Sequence, residues 1–108
     1  MELKNKKCVP CEGRVASLSE PQIQAFSSMI SSHWQVRGGT MIVRQFNFVN
    51  FKHTISFVNR VADIAEQEGH HPDMHIYYAR CILELWTHAI GGLSENDFIL
   101  AAKIDELI

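Results

Sequence analysis

Length, composition and charge exclude several classes of protein. The chain has 108 residues, enough for one compact domain that buries roughly 60% or more of its unfolded surface. The formal net charge is −2 and no stripe of Lys and Arg follows Lys7, so we do not expect direct nucleic-acid binding, which needs a basic footprint. No apolar run reaches the length of a membrane span, about 18 residues, and the polar start lacks the apolar core of a secretory signal. The sequence therefore predicts a cytoplasmic protein without a membrane segment.

The cysteines fit the same compartment. There are three, and an odd number suits a reducing environment. Cys8 and Cys11 form a Cys-x-x-Cys pair, which can bind a metal or cycle as a disulfide. Zinc usually takes four ligands, and a thioredoxin-like site needs a βαβ context that is absent here. We therefore interpret residues 1–18 as a reduced N-terminal arm on a single domain at 19–108, with Cys81 in the core.

The first predicted elements are a helix and a hairpin. Residues 19–22 read Ser-Glu-Pro-Gln, a capping box with proline in the first turn, and three apolar residues then recur at helical spacing: Ile23, Phe26 and Ile30. A first helix is expected over about 20–32. Strands are expected at 34–36 and 41–46, because the intervening Gly38-Gly39 supplies the positive φ that a tight hairpin requires.

A second helix is predicted from about Asn50. Its apolar stripe comprises Phe51, Ile55, Val58, Val61 or Ala62, and Ala65, and its outward positions comprise Lys52, Asn59, Asp63 and Glu66. Gly69 stands where a left-handed C-terminal cap belongs, and Pro72 cannot continue a helix. We expect this helix to end at a short rigid turn that holds His70 and His71.

The remaining chain predicts two strands and a third helix. β-formers dominate residues 74–87, with an irregular join near Ala79. Alternation in the second strand places one set on one face, Cys81, Leu83, Leu85 and Thr87, and a second set on the other, Arg80, Ile82, Glu84, Trp86 and His88. After Gly91-Gly92, residues 94–97 open a helix whose expected buried stripe is Leu100, Ile104 and Leu107. The order α-β-β-α-β-β-α predicts an α+β fold, a four-stranded antiparallel sheet with three helices on one face.

The candidate functional residues are histidines. His70, His71 and His88 can exchange protons near neutral pH, since an unperturbed imidazole has a pKa of about 6.5. Each also has a simpler interpretation: a histidine pair can be a solvated turn, and His88 can be a surface residue. Asp97 is explained by helix capping alone, although a capping carboxylate can also orient an imidazole. A zinc site formed by the three histidines is a further alternative. His33, His53 and His75 have no such partners.

An ordered set of these residues resembles the pterin-4a-carbinolamine dehydratase family. The set comprises Gly69-His70-His71-Pro72, Tyr78, residues 85–88 (Leu-Trp-Thr-His), residues 91–94 (Gly-Gly-Leu-Ser) and Asp97. The likeness extends from about Trp34 to the C-terminus. His-His-Pro alone is a weak signal, whereas the whole ordered set with its spacings is a strong one.

The resemblance implies an activity and site roles. The activity is dehydration of a 4a-hydroxytetrahydropterin to the quinonoid dihydropterin, which recycles the cofactor of aromatic amino acid hydroxylases. His70 and His88 are implied as the acid and base and His71 in substrate binding and proton relay, while Pro72 and Thr87 shape the pterin pocket and Asp97 supports it. No metal or cofactor is called for. The resemblance also implies a homodimer or homotetramer and a functional link to a hydroxylase.

A second class of function fits the same fold. The chain would then be a pterin-binding or protein-binding regulator without physiological turnover. The intact histidine set favours the dehydratase.

Overall fold

The computed structural model describes residues 2–10 and 16–108. The helices of the described chain are α1 (Glu20–Ser27), α2 (Phe51–Glu68) and α3 (Glu95–Asp105), and its strands are β1 (Gln35–Arg37), β2 (Met41–Asn47), β3 (Asp73–Ile76) and β4 (Arg80–Leu85). Two short 3-10 helices span Leu3–Asn5 and His88–Ile90. This order of helices and strands confirms the predicted one. No helix within the described residues is both long and apolar enough to cross a membrane.

The strands form one antiparallel sheet with the order β1-β2-β4-β3. In the central pair Ile42 lies opposite Leu85, and Phe46 lies opposite Cys81. Because side chains alternate along a strand, this register directs one set to the same face, and all of that set are buried: Ile42, Arg44, Phe46, Cys81, Leu83 and Leu85. The apolar members pack with residues of the helices in a single core. The predicted α+β fold class is confirmed.

Helix α2 has both predicted ends. The Asn50 side chain accepts a hydrogen bond from the His53 N–H, and Gly69 caps the other end at φ 65°, a conformation that glycine adopts without strain. The predicted buried stripe is confirmed at Val61 and Ala65, and Val58 packs against the core, but the prediction is wrong for Phe51 at the start of the helix. The buried residues are Thr54, Phe57, Val61 and Ala65, whereas Phe51 is 48% exposed. In the first turn Thr54 takes the inward position instead, and its hydroxyl donates to the Tyr78 carbonyl at 3.0 Å.

Helix α1 has the predicted start but is shorter than the predicted 20–32. Ser19 and Gln22 form the capping box, while the helix ends at Ser27. The Ser28 hydroxyl donates to the Ala25 carbonyl at 2.7 Å, and the Ser31 N–H donates to Asp105 Oδ2 at 2.9 Å. These bonds replace the backbone pairing that a longer helix would need, and serine hydroxyls commonly compete with helix in this way.

Helix α3 is buried almost all round. Phe98, Leu100 and Ile104 have no exposed surface, and polar residues of its first turn, Asn96 and Asp97, are also buried. Asp97 forms a capping box with Ser94. The helix therefore lies in the centre of the domain and holds a carboxylate in its interior.

The first described stretch of the N-terminal arm, residues 2–10, packs against α3. Leu3 and Cys8 are buried at 4% and 6% exposure. The Cys8 thiol is free, and burial, followed by the nearby Glu68 carboxylate, raises its pKa to about 12. Cys11 lies outside the described residues, so the Cys-x-x-Cys interpretation stays a prediction. Among the residues described, no group of three His, Cys, Asp or Glu side chains could hold a metal ion.

Glu68 fixes the arm to the end of α2 and makes the stability of the protein depend on pH. Its Oε1 accepts the Cys8 N–H at 2.9 Å, and Lys103 Nζ lies 3.5 Å from its Oε2. Burial acts to raise the pKa of Glu68, but the Cys8 N–H and the ammonium groups of Lys103 and Lys7 outweigh it and hold the pKa below its usual value.

Because the pKa of Glu68 is lower in the folded state, its stabilisation is present above the unfolded value of about 4.3 and is lost as the pH falls through the folded value. We expect Glu68→Gln to lower the free energy of unfolding by about 1 kcal/mol at pH 7. Urea unfolding of both proteins at pH 7 and at pH 3 measures this. The difference should shrink at pH 3, and a difference that is undiminished there would contradict the assignment.

Candidate active site

The paired histidines lie in the turn between α2 and β3. Gly69 reverses the chain direction in the left-handed conformation, and the His70 N–H still bonds to the Ala65 carbonyl at 3.3 Å. Residues 70–72 belong to no helix or strand. The turn places the side chain of His70 in the interior, 12% exposed, and leaves that of His71 59% exposed. Two adjacent imidazoles therefore have different environments.

His70 is held by a buried carboxylate. Its Nε2 lies 2.6 Å from Asp97 Oδ1, and Asp97 has no exposed surface. The second oxygen, Oδ2, accepts hydrogen bonds from the Thr87 hydroxyl at 2.9 Å and the Ser94 N–H at 2.9 Å. Thr87 is itself 3% exposed. Helix capping and histidine positioning thus use the same carboxylate.

This arrangement assigns the tautomer of His70. An ionised carboxylate only accepts hydrogen bonds, so a neutral His70 carries its proton on Nε2 and has its lone pair on Nδ1. Within the described chain, no hydrogen bond engages Nδ1. His70 can accept a proton at Nδ1, and the Asp97 carboxylate can stabilise the imidazolium that forms, as a buried carboxylate does for the histidine of a serine-protease triad.

His71 pairs with Glu66, a residue of the outward face of α2. Its Nε2 lies 2.6 Å from Glu66 Oε2, on the last turn of α2. Both side chains are more than half exposed, at 59% and 78%. A pair of side chains as exposed as these contributes little to stability, about 0–1 kcal/mol, so the contact does not hold the fold.

His88 lies at the start of the 3-10 helix that follows β4. Its ring centroid is 3.9 Å from that of Trp86. Trp86 donates from Nε1 to Asp73 Oδ2 at 2.9 Å, whereas His88 Nε2 is 3.8 Å from the same oxygen. That distance is too long for a direct hydrogen bond. Trp86 therefore supports the ring of His88 by contact, and Asp73 supplies a negative charge nearby.

The three histidines line one cleft of about 240 Å³. The other lining residues are Val9, Pro10, Gly69, Trp86, Thr87, Ala89 and Asn96. The structure thus brings together four of the predicted site residues, His70, His71, Thr87 and His88. Asp97 stands behind His70. Among the described residues Pro72 does not line the cleft, so it can act only through the shape of the turn.

The other histidines lie elsewhere. His33 is in the connection between α1 and β1, His53 in the first turn of α2, and His75 in β3 at the edge of the sheet. None of them lines this cleft.

Three supporting residues were missed from the sequence. Glu66 was correctly placed on the outward face of α2. It lies one turn before Gly69, and its carboxylate contacts His71 beyond the end of the helix. Trp86 was placed by alternation on the same face as His88, and that pattern did contain the signal. Asp73 follows the proline and reaches Trp86 across the β3–β4 pair, where Asp73 lies opposite Glu84; only the pairing register reveals it.

Comparison with known proteins agrees with the fold and identifies a family. Residues 16–107 match the sequence profile of the family described as "Pterin 4 alpha carbinolamine dehydratase". The chain is 47% identical over 105 residues to a Rickettsia bellii protein named "Putative pterin-4-alpha-carbinolamine dehydratase", covering 97% of this chain and 93% of that protein. A protein of the same name from Nitrosomonas eutropha is 47% identical over 107 residues, covering 99% and 94%.

A solved structure shows the same fold. It is the crystal structure of a "transcriptional coactivator/pterin dehydratase" from Brucella melitensis, with a TM-score of 0.78 and 30% identity over 84% of this chain and 97% of that one. The four-stranded antiparallel sheet with its packed helices defines an α+β protein of the same structural type. The chain belongs to the pterin-4a-carbinolamine dehydratase family.

Proposed function

We propose that this protein dehydrates a 4a-hydroxytetrahydropterin to the quinonoid dihydropterin by histidine general acid–base catalysis. The observation that supports this most strongly is the convergence of His70, His71 and His88 on one cleft, with His70 fixed by the buried Asp97. The physiological role that follows is recycling of the pterin cofactor of an aromatic amino acid hydroxylase.

The reaction needs only groups of this kind. In a carbinolamine the same carbon carries a hydroxyl group and a nitrogen. A proton delivered to the oxygen lets it leave as water, a proton is removed from the ring nitrogen, and the nitrogen electrons form the new C=N bond. An imidazole can act at either step, and each positioned acid or base contributes roughly 10²–10⁴ in rate.

The surroundings of each histidine support a division of roles. His70 is the general base, because the Asp97 carboxylate stabilises the imidazolium produced when Nδ1 accepts the proton. His88, whose side chain is 57% exposed, is the general acid that protonates the leaving hydroxyl. His71, oriented by Glu66, binds the substrate and relays protons to solvent. Thr87 holds Asp97, and Pro72 fixes the turn.

Single alanine variants test these roles. We expect His70→Ala and His88→Ala each to lower kcat by about 10²-fold or more, and His71→Ala to raise KM and lower kcat less. His53→Ala is the matched control, since His53 is exposed at the other end of α2. Stopped-flow absorbance of freshly generated 4a-hydroxytetrahydropterin follows the reaction. Full activity in all three site variants would refute the mechanism.

Assembly and location belong to the same proposal. Large apolar side chains are exposed on α2 and near β3, among them Phe51, Ile76 and Tyr78 at 48%, 43% and 70% exposure. These support a homodimer or homotetramer, which sedimentation measurements would test. The free, buried thiols of Cys8 and Cys81 fit a cytoplasmic location.

The alternative function is a regulator that binds pterin or a protein without turnover. The similar Brucella protein is named a transcriptional coactivator as well as a pterin dehydratase, which supports this alternative. A wild-type protein that binds a dihydropterin but does not accelerate dehydration would support it.

A further inference from the structure

The N-terminal arm reaches the histidine cleft although it lies outside the residues matched to the family, 16–107. Two of its residues, Val9 and Pro10, line the cleft together with all three histidines. Val9 is 66% exposed, so its side chain is not used to fill the core. The arm thus brings two apolar groups to the proposed reaction site.

The position of these residues is fixed by Asn96. The Val9 N–H donates to Asn96 Oδ1 at 3.0 Å, and Asn96 Nδ2 donates to the Val9 carbonyl at 2.6 Å. One side-chain amide therefore satisfies both backbone groups of Val9. Asn96 is 5% exposed, and such a buried amide is costly to leave without its partners.

Asn96, which holds Val9, is adjacent in the chain to the carboxylate that holds His70. Asn96 precedes Asp97, which holds His70. A second anchor, Glu68 at the end of α2, accepts the Cys8 N–H at 2.9 Å and lies two residues before His70. The arm is thus attached to both elements that place the His70–Asp97 pair.

We propose that Val9 and Pro10 form a substrate-binding wall of the cleft and that Asn96 positions them. This inference rests on the proposed function, since the ligand of the wall is the flat bicyclic ring of a pterin. Neither side chain can transfer a proton, so the wall contributes contact area and exclusion of water. Its loss should weaken binding of the ring and leave proton transfer by the histidines unchanged.

Variants of the wall separate binding from chemistry. We expect Val9→Ala and Pro10→Ala each to raise KM, and the Kd of a stable 7,8-dihydropterin, about 3-fold, and about 10-fold together, because each removes two carbons from the wall. The value of kcat should stay within about twofold, as expected when only uniform binding is lost. Quenching of tryptophan fluorescence can report Kd, since Trp86 lines the cleft.

Val49→Ala is the matched control. Val49 is 84% exposed and lies before the start of α2, about 27 Å along that helix from Gly69. The same chemical change there should alter neither KM nor Kd. Val9, Pro10 and Val49 are all exposed, and substitutions of exposed residues have small effects on stability.

The role of Asn96 is tested by a double-mutant cycle. Asn96→Ala should raise KM, and adding Val9→Ala to it should raise KM by less than about 1.5-fold, because the wall is already displaced. Fully additive effects would overturn the positioning role.

Failure of the wall and failure of the proposed function give different results. An active wild type whose KM and Kd are unchanged by Val9→Ala and Pro10→Ala overturns the wall alone. A wild type that binds dihydropterin more tightly than these variants but catalyses no dehydration supports the wall and refutes the enzyme. A wild type that neither binds nor reacts overturns both.

Discussion

The Asp97→Asn variant is expected to fold and to lose about 10²–10³ in kcat. The amide oxygen can still accept from Ser94 and Thr87, as Asp97 Oδ2 does at 2.9 Å from each. The amide NH₂ then faces His70 Nε2, which must become the acceptor. The proton of a neutral His70 moves to Nδ1, and the nitrogen that accepted the substrate proton becomes a donor. The variant thus reverses the tautomer while keeping the shape.

Steady-state kinetics and thermal unfolding measure this together. Tm should fall only modestly, because the capping box is preserved in part, while KM changes little. Asp63→Asn is the control, since Asp63 is exposed on α2 and its substitution should leave kcat unaltered. If Asp97→Asn retained more than about half of the wild-type kcat, the role of Asp97 in setting the His70 tautomer would be wrong.

Asp105→Ala is expected to have the largest effect on stability, about 3–5 kcal/mol. Asp105 Oδ1 accepts from Arg44 Nη1 at 2.6 Å and from Trp34 Nε1 at 2.7 Å, and Oδ2 accepts the Ser31 N–H at 2.9 Å. The side chain of Arg44 is 10% exposed. Removal of the Asp105 carboxylate leaves the buried guanidinium of Arg44 without a compensating charge.

Urea unfolding of wild type and variant gives the difference in free energy. The neighbouring Glu106→Ala is the control: its carboxylate is 60% exposed and pairs with Lys4, so it should cost under about 1 kcal/mol. Replacing both charges, Arg44→Met with Asp105→Leu, should recover part of the loss, because no buried charge then lacks a partner. A cost below about 1 kcal/mol for Asp105→Ala would contradict this account.

The sequence predicted the elements whose ends carry local signals. The capping boxes at Ser19 and Ser94, the Asn50 start and the Gly69 cap of α2 were all readable, because caps depend on residues a few positions apart. The end of α1 was not, since it depends on Ser31 bonding to Asp105, 74 positions away. The inward position of Thr54 at the start of α2 likewise involves a distant partner, the Tyr78 carbonyl.

The site was predictable to the extent that its residues lie in short segments. The turn at His70 and His71 and the strand end at His88 were found from the sequence, and the structure brings them to one cleft. Glu66, Asp73 and the wall residue Val9 were missed, because each joins the site through contacts that only the fold creates.

The buried Arg44, which pairs with Asp105 away from the site, was also missed. It alternates with Ile42 and Phe46 on β2 and therefore had to face inward.

The most direct test is the decay of freshly generated 4a-hydroxytetrahydropterin with and without the wild-type protein, followed by stopped-flow absorbance. This account predicts a decay rate that rises in proportion to protein concentration and falls to near the uncatalysed rate with His70→Ala or His88→Ala. An unchanged decay rate in the presence of correctly folded wild-type protein would contradict it and would favour a binding protein of the same fold.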